Sequence, residues 1–169
     1  MIEFKDSPFM RYFAGDADAP ANPAEAYAMH AEIFGTYLSS IPEDKAGFRY
    51  QPGKWTVGEV VGHVTDADLV FLYRMTCIAR GERKALPGFD ENEYVANANF
   101  ASQPWRTLLQ TWRGVSQAIL GMAAGLDGYA WKRIGEANGV SLTPRDMLWT
   151  LIGHERHHMR TLKERYGLG

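Results

Sequence analysis

The sequence contains one cysteine, Cys77, so it cannot form a disulfide within the chain. A lone thiol among apolar neighbours agrees with a reducing compartment, and it predicts a small buried side chain and not a catalytic nucleophile. No stretch reaches the roughly 18 uninterrupted apolar residues needed to span a bilayer. Residues 1–13 also lack the apolar core of a signal peptide. We therefore expect a cytoplasmic protein that has no membrane partner.

The sequence also has no excess of positive charge. Charged residues make up 22% of its 169 residues, and the formal net charge is -2. No electrostatic field therefore favours DNA or RNA, and we expect no nucleic-acid partner. Hydrophobic residues make up 46%, which is enough to form one core. We expect a single domain over residues 1–169, in which residues 1–21 are an extension before the first helix.

Apolar residues recurring at helical spacing predict four long helices, over residues 23–40, 56–80, 104–122 and 143–166. Three of them begin at an Asn or Thr that is followed three positions later by an acidic residue, which is typical of helix N-termini. These pairs are Asn22 with Glu25, Thr56 with Glu59, and Thr143 with Asp146. The sequence therefore predicts an all-α fold, a four-helix bundle.

Long connections separate the predicted helices. Residues 41–54 contain prolines and glycines that break every regular pattern, so we interpret them as a loop. Residues 81–101 form a long connection, and such connections are often functional. Within residues 125–142, Asn138 and Gly139 lie between short apolar runs and predict a small β-hairpin.

Three of the five histidines form a candidate metal site. His154 and His158 are four residues apart, so they share one face of the last helix. His63 lies at the flank of the apolar stripe of the second helix. If these helices pack together, three imidazoles converge and leave coordination positions open. The spacing alone does not establish a metal site, since two histidines four residues apart on one helix also occur by chance.

The remaining polar candidates are less specific. His157 is predicted to lie on the outer face, whereas His30 is either a buried core histidine or a fourth ligand. Glu155 lies near the middle of an apolar stripe and needs a partner. It is our candidate catalytic residue, because near a metal it could orient an imidazole or act as a base. The alternative is an ion pair with Arg74 or Arg156.

Six segments carry a resemblance to a known family. Their sequences are GKWTVGEVVGH (residues 53–63), FLYR (71–74), LPGFD (86–90), GEANG (135–139), GHERHH (153–158) and ERY (164–166). Together they span most of the chain from residue 53 onward. In these segments the sequence resembles the DinB-like superfamily, which includes YfiT-like proteins and thiol-dependent transferases.

The resemblance implies a metal centre and an unusual bundle. In such families one histidine of the second helix and a His-x-x-x-His pair of the last helix bind a divalent ion. The matching residues here are His63, His154 and His158. The resemblance implies nickel or zinc, with manganese or iron as alternatives. It also implies a helix order that is not a simple up-down meander.

The predicted function is a metal-dependent enzyme that activates a thiol or water to act on a small molecule. A thiol S-transferase or a hydrolase would fit, with a low-molecular-weight thiol as a partner and Tyr94 as a substrate contact. The alternative is a non-catalytic bundle that binds a metal or a small molecule. We also expect a homodimer, because aromatics such as Trp112 and Trp149 could leave apolar surface for a partner.

Overall fold

The computed structural model describes residues 1–12 and 22–169. Its α-helices in this part of the chain are α1 (Pro23–Ser40), α2 (Val57–Ala79), α3 (Glu91–Ala98), α4 (Trp105–Ala124) and α5 (Pro144–Tyr166). Its strands are β1 (Ile2–Glu3), β2 (Gly135–Ala137) and β3 (Val140–Leu142). The four long helices α1, α2, α4 and α5 form the predicted four-helix bundle.

The predicted N-caps are present at the start of α2 and α5, the helices that carry the three candidate metal ligands. Thr56 Oγ1 accepts a hydrogen bond from the backbone N–H of Glu59, and Glu59 Oε2 accepts one from the backbone N–H of Thr56. Thr143 and Asp146 form the same reciprocal pair at the start of α5. Each of these reciprocal pairs, known as a capping box, satisfies backbone N–H donors that the first turn of a helix leaves unpaired. Local sequence therefore fixes where α2 and α5 begin.

The helix order differs from an up-down meander, as the family resemblance implied. In a meander, the consecutive long helices α1 and α2 would be neighbours. Here α1 packs against α4 and α5, and α2 also packs against α4 and α5, so α1 and α2 lie across the diagonal of the bundle. This order places α2 beside α5, and it thereby brings the helix of His63 next to the helix of His154.

A small three-stranded sheet lies at one end of the bundle. The predicted hairpin is confirmed: β2 and β3 are antiparallel, and Asn138 and Gly139 have φ of 52° and 74° at the turn. Positive φ at both positions is the geometry that favours Asn-Gly. Strand β1 adds to β3 in parallel, with Ile2 opposite Val140. The sequence did not indicate β1, because two residues carry no alternation.

The connection between α2 and α4 contains more regular structure than its sequence indicated. Helix α3 begins after Asp90, whose Oδ1 accepts hydrogen bonds from the backbone N–H groups of Asn92 and Glu93. Val95 is its one buried residue, so no apolar stripe marks it in the sequence. Across the described residues, we find no helix with the length and apolar character that crossing a membrane requires.

The two tryptophans proposed as surface for a partner are in the core. Trp112 is 2% exposed and Trp149 is 4% exposed. The expectation that they leave apolar surface free is therefore wrong. Trp112 donates its indole N–H to Glu155 inside the bundle, and Trp149 packs with Met147 and Leu148 in one of the apolar clusters. Both side chains are used to fill the space between helices.

Candidate metal centre

The structure brings His63, His154 and His158 together between α2 and α5. Nε2 of His154 lies 3.2 Å from Nε2 of His63 and 3.1 Å from Nε2 of His158. One ligand atom from each of the three histidines lies within 4.8 Å of the other two. His154 is the central member, because its Nε2 is close to both of the others.

This spacing fits a single metal ion. Zinc lies about 2.0–2.1 Å from histidine nitrogens, so two ligand nitrogens are about 2.9 Å apart at a right angle and about 3.4 Å apart at the tetrahedral angle. The two measured Nε2 distances, 3.2 and 3.1 Å, fall between these limits. Three imidazoles also form a donor set that suits zinc, nickel, copper and iron. The residues present therefore fit a divalent ion.

The three imidazoles are held in the neutral form that binds metals. Burial lowers the pKa of His63 to about 4, with a smaller contribution from His157. Burial and then the neighbouring His63 lower the pKa of His158 to about 3. Burial, followed by His158 and His63, also lowers the pKa of His154 well below its usual value. At neutral pH no proton has to leave these rings before they bind a metal.

Two cavities adjoin the histidines on different sides. A cavity of about 180 Å³ is lined by His63 and His154, together with aromatic residues that include Tyr12, Phe71 and Phe89. We call it the aromatic cavity. A second cavity, of about 260 Å³, is lined by His157 and His158, together with the more polar residues Tyr50, Lys54, Asn92 and Thr161. The three candidate ligands therefore border two cavities, His63 and His154 the first and His158 the second.

A larger cavity lies elsewhere on the described part of the chain. It measures about 580 Å³ and is an open groove between α1 and α4, lined by small and polar residues such as Gly35, Ser39 and Gln117. The described residues that line it include none of the three histidines. The smaller cavities are the better candidates for a functional site, since they border the histidines with perturbed pKa values.

Glu155 lies inside the bundle and is completely buried. Its Oε1 accepts a hydrogen bond of 2.9 Å from Trp112 Nε1, and its Oε2 lies 2.9 Å from His30 Nε2, an ion-pair distance without hydrogen-bond alignment. The proposed ion pair with Arg74 is wrong, since the Arg74 guanidinium donates to the carbonyl oxygen of Pro87. Glu155 thus faces α1 and α4, and the aromatic cavity is lined by other residues.

His30 belongs to this buried group and not to the histidine cluster. It is 2% exposed, stacks on Phe34 at 5.9 Å between ring centroids, and faces Glu155. Of the two alternatives for His30, the structure therefore favours the buried core histidine over the fourth ligand. Asp68 of α2 is also completely buried, and burial followed by the charge of Glu155 raises its pKa well above the usual value.

The other predicted residues lie around the site. His157 is half-buried, with its ring centroid 5.1 Å from that of His158, so its face is less exposed than the helical pattern indicated. Tyr94 is 46% exposed on α3, and its ring lies 4.9 Å from Phe89, which lines the aromatic cavity. Tyr94 therefore supports a wall of the cavity from behind.

Sequence reasoning missed the contribution of the N-terminal segment. Pro8, Arg11 and Tyr12 line the aromatic cavity, although we interpreted residues 1–21 as an extension before the bundle. No periodic pattern connects these residues to the site. The only signal was the presence of an arginine and aromatics in a short segment, which is too common to single it out.

The protein is thus a four-helix bundle whose first two long helices lie across its diagonal, with His63 on α2 and a His-x-x-x-His pair on α5. The chain matches the model of the DinB superfamily over residues 26–162, and it belongs to that family.

Individual relatives are distant in sequence but close in fold. YfiT from Bacillus subtilis, described as a probable metal-dependent hydrolase with an unusual four-helix bundle topology, has a TM-score of 0.75 at 17% identity. That match covers 90% of this chain and 92% of YfiT. A mycothiol-dependent maleylpyruvate isomerase has a TM-score of 0.65 at 18% identity, covering 95% of this chain and 62% of the isomerase.

A curated protein of Oceanobacillus iheyensis is similar in sequence. Its name gives it as a candidate metal-dependent hydrolase, and it is 21% identical over 131 residues. The match covers 76% of this chain and 75% of the relative. The relatives thus include proteins described as metal-dependent and one described as mycothiol-dependent. At these low identities, the two structural matches show the shared fold and no more.

Proposed function

We propose that His63, His154 and His158 bind one divalent metal ion, and that the protein is an enzyme acting on a small molecule at this ion. The observation that carries the proposal is the convergence of three neutral Nε2 atoms, at 3.1 and 3.2 Å, beside a cavity that opens to the surface. The metal-dependent relatives support it. Zinc and nickel both suit three imidazoles, and we propose one of these two.

A bound divalent ion would supply Lewis acidity, which lowers the pKa of a thiol or a water molecule. The three imidazoles are neutral, so they leave the positive charge of the ion to be shared with an anionic nucleophile. Phe71 and Phe89 form apolar walls beside His63 and His154, which hold a substrate and limit its contact with water. Thr150 also lines this cavity, and its hydroxyl donates a hydrogen bond to the backbone carbonyl of Asp146.

The reaction we propose first is transfer of a low-molecular-weight thiol to an electrophilic small molecule, and hydrolysis second. The two cavities beside the histidines support a reaction with two substrates, because a thiol and its acceptor need separate places. The thiol-dependent relative supports the first reaction, and the two relatives described as hydrolases support the second.

We propose that Glu155 serves the metal site indirectly, through its contacts inside the bundle. Its hydrogen bond from Trp112 and its proximity to His30 fix the rotation of α5, which carries His154 and His158. A proton transfer by Glu155 would have to be relayed, since its carboxylate points to α1 and α4. We therefore propose that it orients the metal ligands through the helix.

A non-catalytic metal site is the alternative, and it predicts a fourth protein ligand that closes the coordination sphere. Among the described residues the cluster has three members, and His30 lies with Glu155 instead. This observation favours an open site and therefore the enzyme.

The proposal is tested with protein loaded with nickel or zinc and mixed with common biological thiols and a panel of electrophiles and esters. Products are followed by liquid chromatography and mass spectrometry. We expect turnover that requires the metal and that His63→Ala abolishes. Absence of any turnover by the metal-loaded protein would count against the transferase and hydrolase forms alike.

A further inference from the structure

The N-terminal segment is seated against α5 at a position that only glycine allows. A Cβ built on Gly153 would lie 1.2 Å from the carbonyl oxygen of Tyr12 and 2.3 Å from its carbonyl carbon. Both atoms belong to the backbone, so no side-chain rotation can relieve the overlap. The backbone of Tyr12 therefore rests on α5 in the space that a side chain at Gly153 would occupy.

This seat places the Tyr12 ring directly on a metal-ligand candidate. The ring centroids of Tyr12 and His154 are 5.2 Å apart with their planes at 90°, an edge-to-face contact. The ring also lies 5.5 Å from that of His157, and the Arg11 guanidinium lies 4.6 Å from the Tyr12 centroid. Contacts on several sides hold the tyrosine ring in one place.

His154 needs such a support because its other ring nitrogen is unpaired. Nδ1 of His154 is buried and has no hydrogen-bond partner within residues 1–12 and 22–169. Metal-binding histidines usually donate this second N–H to a carboxylate, carbonyl or water, which fixes the ring orientation. At His154 the described residues offer ring packing in place of that hydrogen bond. His63 of α2 packs edge-to-face on one part of the ring as a fellow ligand candidate, and Tyr12 of the N-terminal segment packs on it without being a ligand candidate.

We propose that Tyr12 is a positioning residue of the three-histidine site: its ring holds the imidazole of His154 in the orientation that directs Nε2 toward the metal, and Gly153 provides the seat for Tyr12. The inference rests on the proposed metal site. It makes residues 8–12 a structural part of that site, anchored at the far end by the pairing of β1 with β3.

The seat is tested by Gly153→Ala against Gly121→Ala, both in helix interiors. Alanine is favoured over glycine in a helix by about 1 kcal/mol, and a Cβ at Gly121 meets nothing within 4 Å. We expect hydrogen–deuterium exchange of residues 1–12 in metal-free protein to be at least about tenfold faster in Gly153→Ala and unchanged in Gly121→Ala. Equal protection of residues 1–12 in both variants would refute the claim that the backbone of Tyr12 rests on α5 at Gly153.

The positioning role is tested by Tyr12→Ala and Tyr12→Phe, with Co²⁺ affinity measured by competition with a chelator. Loss of the ring should weaken Co²⁺ binding by about 10–100-fold, the range seen when groups that orient metal ligands are removed. Phenylalanine keeps the ring and should restore binding to within a few-fold of wild type. The melting temperature of each metal-free variant reports stability separately from affinity.

The outcomes separate this inference from the metal site itself. Wild-type affinity in Tyr12→Ala, with wild-type protein binding Co²⁺ normally, would overturn the positioning role and leave the metal site standing. A wild-type protein that does not bind Co²⁺ would overturn the metal site and the inference together. A fall in melting temperature with unchanged affinity would show that Tyr12 contributes to stability only, which also overturns the proposal.

Discussion

His154→Ala and His157→Ala should respond to metal very differently, although the two residues are neighbours on one helix. His154 is the central member of the cluster, with Nε2 of His63 and of His158 at 3.2 and 3.1 Å. Its removal leaves the other two without the nitrogen that lies close to both. His157 lines the second cavity, next to His158, and is outside the cluster. Both variants introduce alanine in α5, so their helix propensity is matched.

The size of the difference follows from linkage. At a metal concentration of about 1,000 times the dissociation constant, binding stabilises the native state by about 4.1 kcal/mol. Loss of one of three ligands should weaken binding by at least about 100-fold, which leaves about 1.4 kcal/mol at the same concentration. For a chain of this length each kcal/mol shifts the melting temperature by about 2–4 °C. The metal-induced shift should therefore fall by about 5–11 °C.

The assay is thermal unfolding followed by circular dichroism, with and without zinc or nickel at one fixed concentration. The quantity compared is the shift caused by metal in each variant, so any change in metal-free stability cancels. We expect a wild-type shift in His157→Ala and a much smaller one in His154→Ala. Equal shifts in the two variants would refute the assignment of the three ligands.

Three further predictions test the core and the assembly. Burial, followed by the charge of Glu155, raises the pKa of Asp68, which faces Glu155, Tyr27 and Trp112. The protonated carboxyl therefore stabilises the folded state. This contribution is greatest below the unfolded pKa of 3.8, and it is lost as pH rises through the folded pKa. Asp68→Asn should therefore gain in melting temperature over wild type between about pH 4 and about pH 8, and a constant difference would contradict this. Gly62→Ala places a Cβ 2.4 Å from the Phe100 ring and should cost about 1–3 kcal/mol in urea unfolding, whereas Gly114→Ala, with nothing within 4 Å, should not destabilise. Light scattering should give twice the monomer mass of 19.0 kDa if the expected homodimer forms, and the monomer mass at micromolar concentration would remove that prediction.

The parts of the fold that sequence predicted are those set by neighbouring residues. The capping box at Thr56 and Glu59 and the turn at Asn138 and Gly139 depend on a few positions, so their signals are local. Helix α3 was not predicted, because a single buried residue, Val95, does not produce an apolar stripe in the sequence. The pairing of β1 with β3 joins residues far apart in the chain, and no local pattern reports such a contact.

The site was predictable in its histidines but not in its surroundings. The spacing of His154 and His158 placed both on one face, whereas their meeting with His63 depends on α2 lying beside α5. That arrangement came from the family resemblance, since spacing alone left it open. The role of Tyr12 at the site was not predicted, because its contact with His154 depends on the close approach of its backbone to α5 at Gly153. A glycine in a helix indicates that something comes close, but not which segment.

The buried polar residues and the histidine cluster are mechanically linked through α2 and α5. His30, Asp68, Trp112 and Glu155 come from α1, α2, α4 and α5, one from each long helix. A buried polar group that loses its partner costs about 1–3 kcal/mol, so a rotation of α5 that separates Glu155 from Trp112 is opposed. The same rotation would carry His154, the preceding residue, away from His63. The contacts of Glu155 in the core therefore help to keep the three imidazoles together between α2 and α5.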